Sequence, residues 1–486
     1  ITHTQIKSCD HVIHECYNEL MIQMIWYKRD LRVRDHAPLF HASQSGRVLP
    51  LYILEPFLFE KDVFSKRHLE FIIDGLEDLK KSLEAIHLPL YIYIGDAVEI
   101  FDRIYDQYGA FQLHSHMEHG TNLTYERDLN VKKWTEKKDL LWTEYKSFGV
   151  NRAKGFKYRL RDFHGWLKEG ILPIPKDSIP FKDEHHIFTH TISDMHQLQT
   201  NGDGISFFKG GESEGIKRAQ AFFNQRYKKY QVYINKPSLS IHSSSLLSPY
   251  LAFGNVSIRM LHLSTQKHLK DIQDPFLKDQ LKAFEKRLYW HCHFVQRVER
   301  HPELHEVAWD QKLEGLRVTN PDYLHAFKEG QTGFPIIDAC MRALQKRGWI
   351  NFKQRAMVAS FASNVLLLDW RDVGVVLGSY FIDYEPGIHW SQIQMQAGLN
   401  PYRHVPMYDI IKQSLMHDKD ASFIHEMIPE LKHVQAPEVF TPWELKDNPY
   451  ITPIIDLKTS FEASKTLLYQ KKKQKKQDHN LFGDDA

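Results

Sequence analysis

The fold of the first third of the chain is decided by the stretch MIQMIWY at residues 21–27, together with RVLPLYIL at residues 47–54. Both segments are short, apolar and rich in Ile, Leu and aromatic residues, which is typical of buried β-strands. Similar segments follow at Leu90–Ile94, Phe111–His114 and Leu140–Tyr145. The sequence therefore predicts a series of strands in this part of the chain.

Segments with helical periodicity lie between these strands, at Pro38–Ser45, Arg67–Ile86, Val98–Tyr108 and Thr124–Lys138. Alternation of strands and helices with short loops indicates a parallel, doubly wound sheet with right-handed crossovers. We therefore predict an α/β, Rossmann-like domain over residues 21–147.

Composition limits what the whole protein can be. Its 486 residues exceed the about 100–200 residues of one domain, so we expect two or three domains. The 63 basic and 61 acidic residues leave a net charge of +2, so a surface for a polyanion must be local. No apolar run approaches the about 18 residues of a membrane span. Four cysteines do not suit a disulfide scaffold, and we expect a cytoplasmic protein without membrane contact.

The remaining regions differ from the α/β domain in composition. Residues 1–20 are polar throughout, which predicts a leader or extension rather than a signal peptide. Residues 148–208 mix Pro and Gly with polar stretches and predict a long linker. Residues 446–486 predict a C-terminal helix over Thr459–Lys476, whose basic run Lys471–Lys476 we interpret as a solvated tail.

Residues 209–445 show helical periodicity without strand alternation, as in Phe276–Val298, Pro335–Lys346 and Phe352–Leu368. This part predicts an all-helical domain. No G-x-G-x-x-G or G-K-[ST] fingerprint occurs in the chain. Histidines flank Cys292, but neighbouring side chains on a helix point about 100° apart and cannot converge on one ion. We expect no metal site.

A serine-rich segment precedes a predicted helix in this domain. Ser244, Ser245 and Ser248 offer hydroxyls and free amides of the kind that bind a phosphate at a helix N-terminus. A plain capping run explains the same residues. This segment by itself does not distinguish a phosphate-binding site from a helix cap.

Charged and aromatic residues lie in otherwise apolar helices further on. Trp290, within RLYWHCHF, favours core packing when taken alone. Arg355, Asp383 and Glu385 should pair, because unpaired buried charge is costly. Structural ion pairs and a binding site explain such residues equally well.

Together these segments resemble the cryptochrome/photolyase family over residues 22–443. The resemblance is carried by MIWYKRDLRVRD at 24–35, GGE at 210–212, LSPYL at 247–251 and GQTGFPIIDACMR at 330–342. It points to a divergent bacterial branch similar to class I photolyases for cyclobutane pyrimidine dimers. It implies an α/β antenna domain, a helical FAD-binding domain, and light-driven electron transfer from reduced flavin.

The resemblance also implies roles for individual residues. Trp290 would stack on a flipped-out pyrimidine dimer, with His389 and Met395 completing the catalytic set. Arg355 would stabilise a reduced, anionic flavin while Asp383 fixes its guanidinium. The residues implied in cofactor binding are Tyr230, Ser244, Ser245, Leu247, Ser248, Arg287, His291, Phe352, Arg355, Asp383, Glu385 and His389.

The chain departs from the family pattern around this site. His389 stands where the family has Asn or Asp facing flavin N5, and we hypothesise an imidazole whose hydrogen bonding changes with pH. Met395 replaces a second dimer-stacking Trp, and Glu385 replaces an Asp. Arg287 replaces a substrate-binding carboxylate, and Phe352 replaces an Asn.

The family's relay of three tryptophans is incomplete here. Its positions align with Ile393, Trp370 and Arg317, so the middle Trp alone remains. Trp390 offers another electron-transfer route, although core packing explains it equally well. We predict slow or rerouted photoreduction.

An antenna chromophore of folate or deazaflavin type is a further implication of the resemblance. Met117, Glu118 and residues 122–128 resemble the segment that binds folate-type antennae, and His114 and His116 share one strand face. Polar surface packing explains these residues equally well.

The lead hypothesis is an FAD-dependent deoxyribodipyrimidine photo-lyase, a carbon–carbon lyase that acts as a monomer on UV-damaged single- or double-stranded DNA. The alternative is a cryptochrome-type blue-light photoreceptor without repair activity. A flavoprotein of dark redox chemistry is a third, weaker alternative, because no site for a hydride substrate is discernible.

Overall fold

The computed structural model describes residues 21–61, 63–152, 160–399 and 407–481 of the chain. The predicted leader at residues 1–20 lies outside these ranges. A parallel sheet with flanking helices comes first and is followed by a larger helical region. No helix within the described ranges is long and apolar enough to cross a membrane.

The sheet has the strand order β3-β2-β1-β4-β5, and all of its pairs are parallel. Its strands are β1 (Ile22–Tyr27), β2 (Arg47–Leu54), β3 (Tyr91–Ile94), β4 (Phe111–His116), β5 (Trp142–Tyr145) and the two-residue β6 (Ile179–Pro180). This order, with the chain winding in both directions from β1, confirms the predicted doubly wound sheet. The short β6 pairs with the start of β2 and was not predicted.

Both faces of the sheet are buried, which explains why β1 is apolar throughout. Met24 and Trp26 point into one core cluster, whereas Ile25 and Tyr27 point into another. Side chains alternate across a strand, so a strand covered on both faces needs apolar residues at every position. The cluster around Tyr27 continues into the helical region.

Helices α1 (Ala37–Ala42), α2 (Phe57–Lys61), α3 (Lys66–Glu84), α4 (Ala97–Tyr108) and α5 (Asn122–Lys137) connect the strands. The predicted linker carries α6 (Leu160–Leu167) and a 3-10 turn at Ser193–Gln197, in addition to β6. The described part of the linker thus contains more regular structure than its Pro- and Gly-containing sequence indicates.

The rest of the described chain is helical, which confirms the predicted second half of the fold. Its helices are α7 (Glu212–Asn224), α8 (Tyr230–Tyr233), α9 (Pro237–Ser243), α10 (Ser248–Ala252), α11 (Ile258–Asp271), α12 (Pro275–Arg300), α13 (Pro321–Glu329), α14 (Pro335–Arg347), α15 (Phe352–Ser360), α16 (Trp370–Tyr380), α17 (Pro386–Gln396), α18 (Ile410–His417), α19 (Ser422–Met427) and α20 (Leu457–Leu481). The helix predicted over Phe352–Leu368 is α15 followed by a π-helical turn at Phe361–Val365. Lys471–Lys476 fall within α20, and their side chains lie outside the described part.

Helix α12 is the longest structural element of the helical region. It begins where the Asp274 carboxylate accepts a hydrogen bond from the backbone N–H of Phe276 (2.8 Å), with Pro275 at its first position. Its buried stripe has three- and four-residue spacing and consists of Leu281, Phe284, Leu288, Cys292 and Val295. The opposite face of α12 is left for other contacts.

Arginines from the α/β domain hold the two parts together. Arg29, just after β1, donates from Nε to the carbonyl oxygen of Ala252 (2.9 Å) and from Nη2 to that of Tyr384 (2.8 Å). Arg67, at the start of α3, donates from Nη2 to the carbonyl oxygen of Gln345 (2.9 Å). Hydrogen bonds from charged donors are stronger than neutral ones, so these contacts fix the two domains relative to each other.

Two glycines on α16 let α17 approach closely. A Cβ on Gly374 would lie 2.1 Å from Cζ3 of Trp390, and one on Gly378 would lie 3.2 Å from Nε2 of His389. The Trp390 ring could not keep its place beside a larger residue at 374, and the His389 ring would have to shift by a few tenths of an ångström beside one at 378. The glycines therefore determine where His389 and Trp390 lie.

Candidate functional site

A cavity of about 300 Å³ lies in the helical region. Its walls come from α8 and α10, the middle of α12, the start of α15, and α17 with the loop before it. The sequence-predicted residues that line it are Tyr230, Ser244, Ser245, Leu247, Ser248, Arg287, Trp290, His291, Phe352, Arg355, Asp383, Glu385 and His389. The structure thus brings together every residue predicted to bind the cofactor.

The serine-rich segment forms one wall. Ser244 directly follows α9 as its C-cap and Ser248 begins α10, a helix of 5 residues. Between them, Leu246 has a left-handed backbone with φ of 54°, which is unusual for a residue other than glycine. Backbone strain of this kind concentrates at functional sites. The segment is therefore a tight loop at the cavity rather than the start of a long helix.

Arg355 and Asp383 form a bidentate ion pair on another wall. Nη1 and Nη2 of Arg355 donate to the two carboxylate oxygens of Asp383, at 2.9 and 2.8 Å. Nε of Arg355 donates to the carbonyl oxygen of Ile350 (2.8 Å), and its guanidinium lies 4.1 Å from the ring centroid of Phe381. These contacts hold a permanent positive charge in one orientation beside the cavity.

Glu385 links the cavity to the α/β domain. Its carboxylate is buried and lies 3.2 Å from Nη2 of Arg29. Burial raises the pKa of Glu385, and the neighbouring Arg29 partly opposes that increase. The side chain is therefore both a wall residue and part of the interdomain contact.

His291 is the clearest sign that the cavity is built for a ligand. Among the described residues, neither Nδ1 nor Nε2 of this buried ring has a hydrogen-bond partner. Burial lowers the pKa of His291 to about 3, so the ring is neutral near pH 7. Buried polar groups are normally hydrogen-bonded, so a ring without partners in a cavity wall suits a bound polar molecule.

His389, on α17, is held by a hydrogen bond to the neighbouring helix α16, a contact that no sequence pattern predicts. Its Nε2 donates to the carbonyl oxygen of Gly374 (2.8 Å), which fixes the neutral tautomer. Burial lowers the pKa of His389 to about 4. The hypothesis of a pH-dependent imidazole therefore needs revision, because the ring stays neutral across the physiological range.

Trp370 and Trp390 lie behind the cavity wall, in contact with each other. Their ring centroids are 6.0 Å apart, and Trp390 lies 5.1 Å from His389, which lines the cavity. Nε1 of Trp390 donates to the hydroxyl of Tyr384, another wall residue (3.0 Å). The guanidinium of Arg371, which is partly exposed, covers the Trp370 ring at 4.5 Å. A continuous aromatic path thus runs from the cavity towards the surface.

The other two positions of the tryptophan relay are occupied by Ile393 and Arg317, whose contacts are those of wall and core residues. Ile393 lines the cavity. Arg317 is buried and donates from Nη2 to Oδ1 of Asn364 (2.7 Å) and to the carbonyl oxygen of Ala397 (2.6 Å). Burial lowers the pKa of Arg317 to about 10. The route through Trp390 is therefore the aromatic connection that this chain retains.

Met395 does not lie among the described residues that line the cavity. Its Sδ lies 3.7 Å from Nη1 of Arg297, at the end of α12. Trp290, predicted to stack on the dimer, does line the cavity, and its ring lies 5.9 Å from that of Phe294.

Sequence reasoning missed two pairs of cations and aromatic rings, of which the first lies in the cavity wall and the second begins at the next residue of α15. The guanidinium of Arg287 lies 5.3 Å from the ring of Phe352. Nζ of Lys353 lies 4.5 Å from the ring of Tyr408. The residues of each pair come from different parts of the chain, so only the fold brings them together.

Comparison with known proteins agrees with this site. A model of the FAD binding domain of DNA photolyase matches residues 284–470, and a DNA photolyase model matches residues 23–148. The chain belongs to the photolyase/cryptochrome family. Its helical region is accordingly an FAD-binding domain.

Relatives of both kinds occur in this family. The deoxyribodipyrimidine photo-lyase of Buchnera aphidicola subsp. Acyrthosiphon pisum is 28% identical, over 92% of this chain and 96% of that protein. The cryptochrome DASH of Gloeobacter violaceus is 27% identical, over 87% of this chain and 88% of that protein.

Solved structures of the family share the fold. A cryptochrome from Synechocystis sp. aligns with a TM-score of 0.82 at 22% identity, covering 92% of this chain and 99% of that one. A class III photolyase from Agrobacterium tumefaciens gives the same TM-score and identity, covering 93% and 98%.

The residues around the cavity suit the FAD of the family. The cavity volume of about 300 Å³ lies at the lower end of the usual range of ligand pockets, about 300–1,000 Å³. The wall offers His291, which has no partner among the described residues, the serine loop for the phosphates and the Arg355–Asp383 pair for the ring system. These residues would hold the cofactor.

Polar side chains of the predicted antenna segment are paired with other side chains of the protein. Nε2 of His114 contacts Oε1 of Gln23 (2.9 Å), and Glu118 pairs with Arg127. Cavities of about 20 and 40 Å³ lie beside this segment, far below the usual size of a ligand pocket. The antenna stays a prediction that these contacts do not favour.

A buried cluster of Asp30, His36 and His116 has ligand atoms within 4.8 Å of one another. Nδ1 of His36 accepts a hydrogen bond from the backbone N–H of Leu39 (3.1 Å), so its proton lies on Nε2. That Nε2–H donates to Oδ2 of Asp30 (2.9 Å), and Nδ1 of His116 contacts the same oxygen (2.7 Å). The cluster is thus satisfied as a hydrogen-bond network.

Proposed function

We propose that this protein is a light-driven, FAD-dependent photolyase that repairs cyclobutane pyrimidine dimers in DNA. The observation that carries the proposal is a cavity wall that combines the Arg355–Asp383 pair with the indole of Trp290. The residues predicted to bind the cofactor and Trp290, which is predicted to bind the lesion, line the same cavity. An electron would cross a short distance between the two ligands.

The protein's own residues contribute binding, orientation and exclusion of water. Asp383 holds the guanidinium of Arg355 so that its positive charge would offset negative charge on the cofactor. Apolar side chains such as Leu288 and Leu377 keep this wall dry. When bound and reduced, FAD supplies the photoexcited electron that opens the cyclobutane ring and returns afterwards.

Cations paired with aromatic rings at the cavity support DNA as the substrate. Arg287 contacts Phe352 in the cavity wall, and Lys353, the next residue of α15, contacts the ring of Tyr408. Interleaved basic and aromatic side chains are typical of surfaces that bind unstacked nucleotides. Trp290 is partly exposed in the same wall and would stack on a base turned out of the helix.

A cryptochrome-type photoreceptor without repair activity is the second candidate. The position of Met395 favours it, because this residue replaces the family's second dimer-stacking Trp and is not among the described residues that line the cavity with Trp290. Relatives named cryptochrome DASH point the same way. Light would then alter partner binding or oligomeric state rather than DNA.

Repair of a dimer-containing oligonucleotide tests the proposal. Protein with reduced FAD is incubated with single- and double-stranded forms, in blue light and in darkness, and the restored pyrimidines are quantified by chromatography. We expect restoration only in the light. Protein with oxidised FAD, and oligonucleotide illuminated alone, serve as controls. Absence of repair on both forms would reject the photolyase and favour the photoreceptor.

A further inference from the structure

Glu385 lies between two cavities. Its side chain lines the cavity of about 300 Å³ that suits FAD, and also a second cavity of about 20 Å³ at the contact between the domains. Ala252 is the other described residue that the two walls share, and its side chain is a methyl group. Glu385 is therefore the shared side chain that can carry a proton from one cavity to the other.

The small cavity has the size and the polar groups to hold one water molecule. A water needs at least about 10–15 Å³ of accessible volume, which this cavity exceeds. Nε2 of His119 and Oγ of Ser147, both in its wall, have no hydrogen-bond partner among the described residues. His119 is 5% exposed and Ser147 is 8% exposed, so bulk solvent does not satisfy these atoms. A single water would provide a partner for both.

The other nitrogen of His119 defines what this ring can do. Nδ1 lies 2.6 Å from Oε2 of Glu299, and a carboxylate oxygen accepts hydrogen bonds, so Nδ1 carries a hydrogen. The remaining atom, Nε2, can take up and release a second proton on the side of the small cavity. Oε1 of Glu299 lies 3.3 Å from Nε of Arg152, which holds this carboxylate in place.

Other titratable side chains in the wall of the large cavity are less suited to supply a proton. Both carboxylate oxygens of Asp383 accept hydrogen bonds from Arg355. Burial lowers the pKa of His291 to about 3 and that of His389 to about 4, so neither ring carries a second proton near pH 7. Glu385 differs from all three because it also lines the small cavity.

The charges around Glu385 suit a group that takes up and passes on a proton. Burial raises its pKa, Arg29 and His119 lower it, and Glu118 raises it. Because burial is the largest of these effects, the carboxylate accepts a proton more readily than an exposed glutamate does. The charged and titratable groups that surround Glu385 and His119 are Lys28, Arg29, Asp30, His116, Glu118, Arg152, His291 and Glu299.

We propose that Glu385 passes to the cofactor the proton that FAD takes up on reduction, and that His119 supplies this proton through a water in the small cavity. The inference goes beyond DNA repair, because reduction of FAD precedes repair and also takes place in a photoreceptor. Reduction takes up one proton per cofactor, so the proton held on Nε2 of His119 is sufficient.

The reaction balances with a dithiol in solution as the reductant. Oxidation of the dithiol to a disulfide releases two electrons and two protons, whereas conversion of FAD to FADH⁻ takes up two electrons and one proton. The N–H bond at Nε2 of His119 breaks, and the water passes the proton to one oxygen of Glu385. An O–H bond of Glu385 then breaks as an N–H bond forms on the cofactor. Glu385 ends as the carboxylate that it was, and the surplus proton of the dithiol enters the solvent.

Flash photoreduction in H2O and D2O tests this relay. FAD-loaded wild type, Glu385→Gln and His119→Gln are illuminated with a dithiol in the absence of oxygen. The loss of oxidised FAD and the formation of FADH⁻ are followed separately by absorbance. We expect both variants to form FADH⁻ at least about tenfold more slowly, with the initial loss of oxidised FAD within about twofold of the wild type. In the wild type, D2O should slow the formation of FADH⁻ but not the initial loss.

Conservative and matched variants distinguish a relay from a structural role. Glu385→Asp keeps a carboxylate and should recover most of the rate that Glu385→Gln loses. His301→Gln is the control for His119→Gln, because His301 also lies beside a glutamate (Nδ1 to Oε1 of Glu303, 3.3 Å) but is exposed and lines neither cavity. It should behave as the wild type does.

The pH profile provides a second readout. The rate of FADH⁻ formation in the wild type should fall as the pH is raised from about 6 to about 8, the range in which a histidine gives up its second proton. In His119→Gln the rate should be slow and independent of pH. Trp390→Phe should slow the loss of oxidised FAD itself, with little effect of D2O, because it affects the electron and not the proton.

A crystal structure supplies a readout that needs no light. In the wild type we expect an ordered water within about 3.2 Å of both Nε2 of His119 and Oγ of Ser147. Ser147→Ala removes one partner of this water and should slow FADH⁻ formation several-fold while FAD content stays the same. A small cavity without water density would overturn the relay.

The outcomes separate this inference from the proposed function. Wild-type rates of FADH⁻ formation in both Glu385→Gln and His119→Gln, or a wild-type rate that responds to neither D2O nor pH, would overturn the inference. Failure of the wild type to repair DNA would reject the photolyase and leave the relay standing, because the proton is taken up before DNA is bound. Thermal melting and FAD content verify the folding of each variant. If Glu385→Gln loses FAD because Arg29 loses its partner, His119→Gln and Glu385→Asp decide the question.

Discussion

His68 makes the contact between the domains sensitive to acid. It is fully buried near the start of α3, and its Nδ1 accepts a hydrogen bond from the backbone N–H of Ser65 (2.9 Å). Its Nε2 donates to the carbonyl oxygen of Phe381 in the helical domain (2.8 Å). Burial lowers the pKa of His68 to about 3. The bond from Ser65 requires the neutral ring, since a proton on Nδ1 would displace it, whereas the bond to Phe381 forms from either state.

The magnitude follows from the difference in pKa between the folded and unfolded states. The unfolded ring has a pKa of about 6.5, so between that value and about pH 3 the unfolded chain binds a proton that the folded protein does not. The stability contributed by neutral His68 is therefore complete above about pH 6.5 and is lost as the pH falls. At about pH 5 the loss is about 2 kcal/mol, from about 1.5 units at 1.36 kcal/mol each.

The assay compares urea unfolding of the FAD-loaded protein at about pH 7.5 and about pH 5. In His68→Gln the amide oxygen can accept the hydrogen bond from Ser65, because a Gln suits this position of a capping box. Unlike the imidazole, the amide does not titrate. We expect the fall in unfolding free energy to be about 2 kcal/mol smaller in His68→Gln than in the wild type. His325→Gln, at an exposed position, should reproduce the wild-type fall. An equal fall in His68→Gln would refute the reasoning.

Three further predictions concern the cavity and its supports. Trp390→Phe should slow photoreduction of bound FAD at least about tenfold, measured by absorbance under steady illumination, because the indole joins Trp370 to the cavity wall. Asp383→Asn should weaken FAD retention about tenfold, measured by fluorescence of released flavin, because Arg355 loses its bidentate partner. Gly374→Ala should lower the unfolding free energy by about 3 kcal/mol, measured with urea, because its Cβ meets the Trp390 ring.

Controls and contradicting results differ among these three. Photoreduction that survives in Trp390→Phe at the wild-type rate would exclude the aromatic path. Asp383→Glu keeps the charge and should retain more FAD than Asp383→Asn; the reverse order would contradict the ion-pair argument. Gly165→Ala, whose Cβ meets nothing within 4 Å, is the control for Gly374→Ala. Equal stability of the two glycine variants would mean that α16 and α17 are not closely packed.

The fold was accessible from sequence because its signals are local. The apolar runs at β1 and β2 and the three- and four-residue spacing in α12 each report the burial of a single element. The two-residue β6 was missed because it lacks a pattern of its own and depends on pairing with β2. Local patterns thus predict elements but not such pairings.

The resemblance to the family predicted the site residues, whereas their protonation states and contacts could be determined only from the fold. The orientation of His389 depends on a carbonyl of α16 and its neutral state on burial, and the double role of Glu385 depends on Arg29 in the other domain. The contact between Arg297 and the ring of Trp309 could not have been found from the sequence either, because Trp309 lies in a separate loop.

The most direct test of the central claim is repair by Trp290→Ala compared with the wild type, at matched content of reduced FAD. If cofactor and lesion share one cavity, the variant should retain its FAD but bind the dimer oligonucleotide at least about tenfold more weakly, because base stacking on an aromatic ring is lost. Its repair at limiting DNA should fall in proportion. Unchanged affinity and unchanged repair in Trp290→Ala would show that the lesion is bound elsewhere.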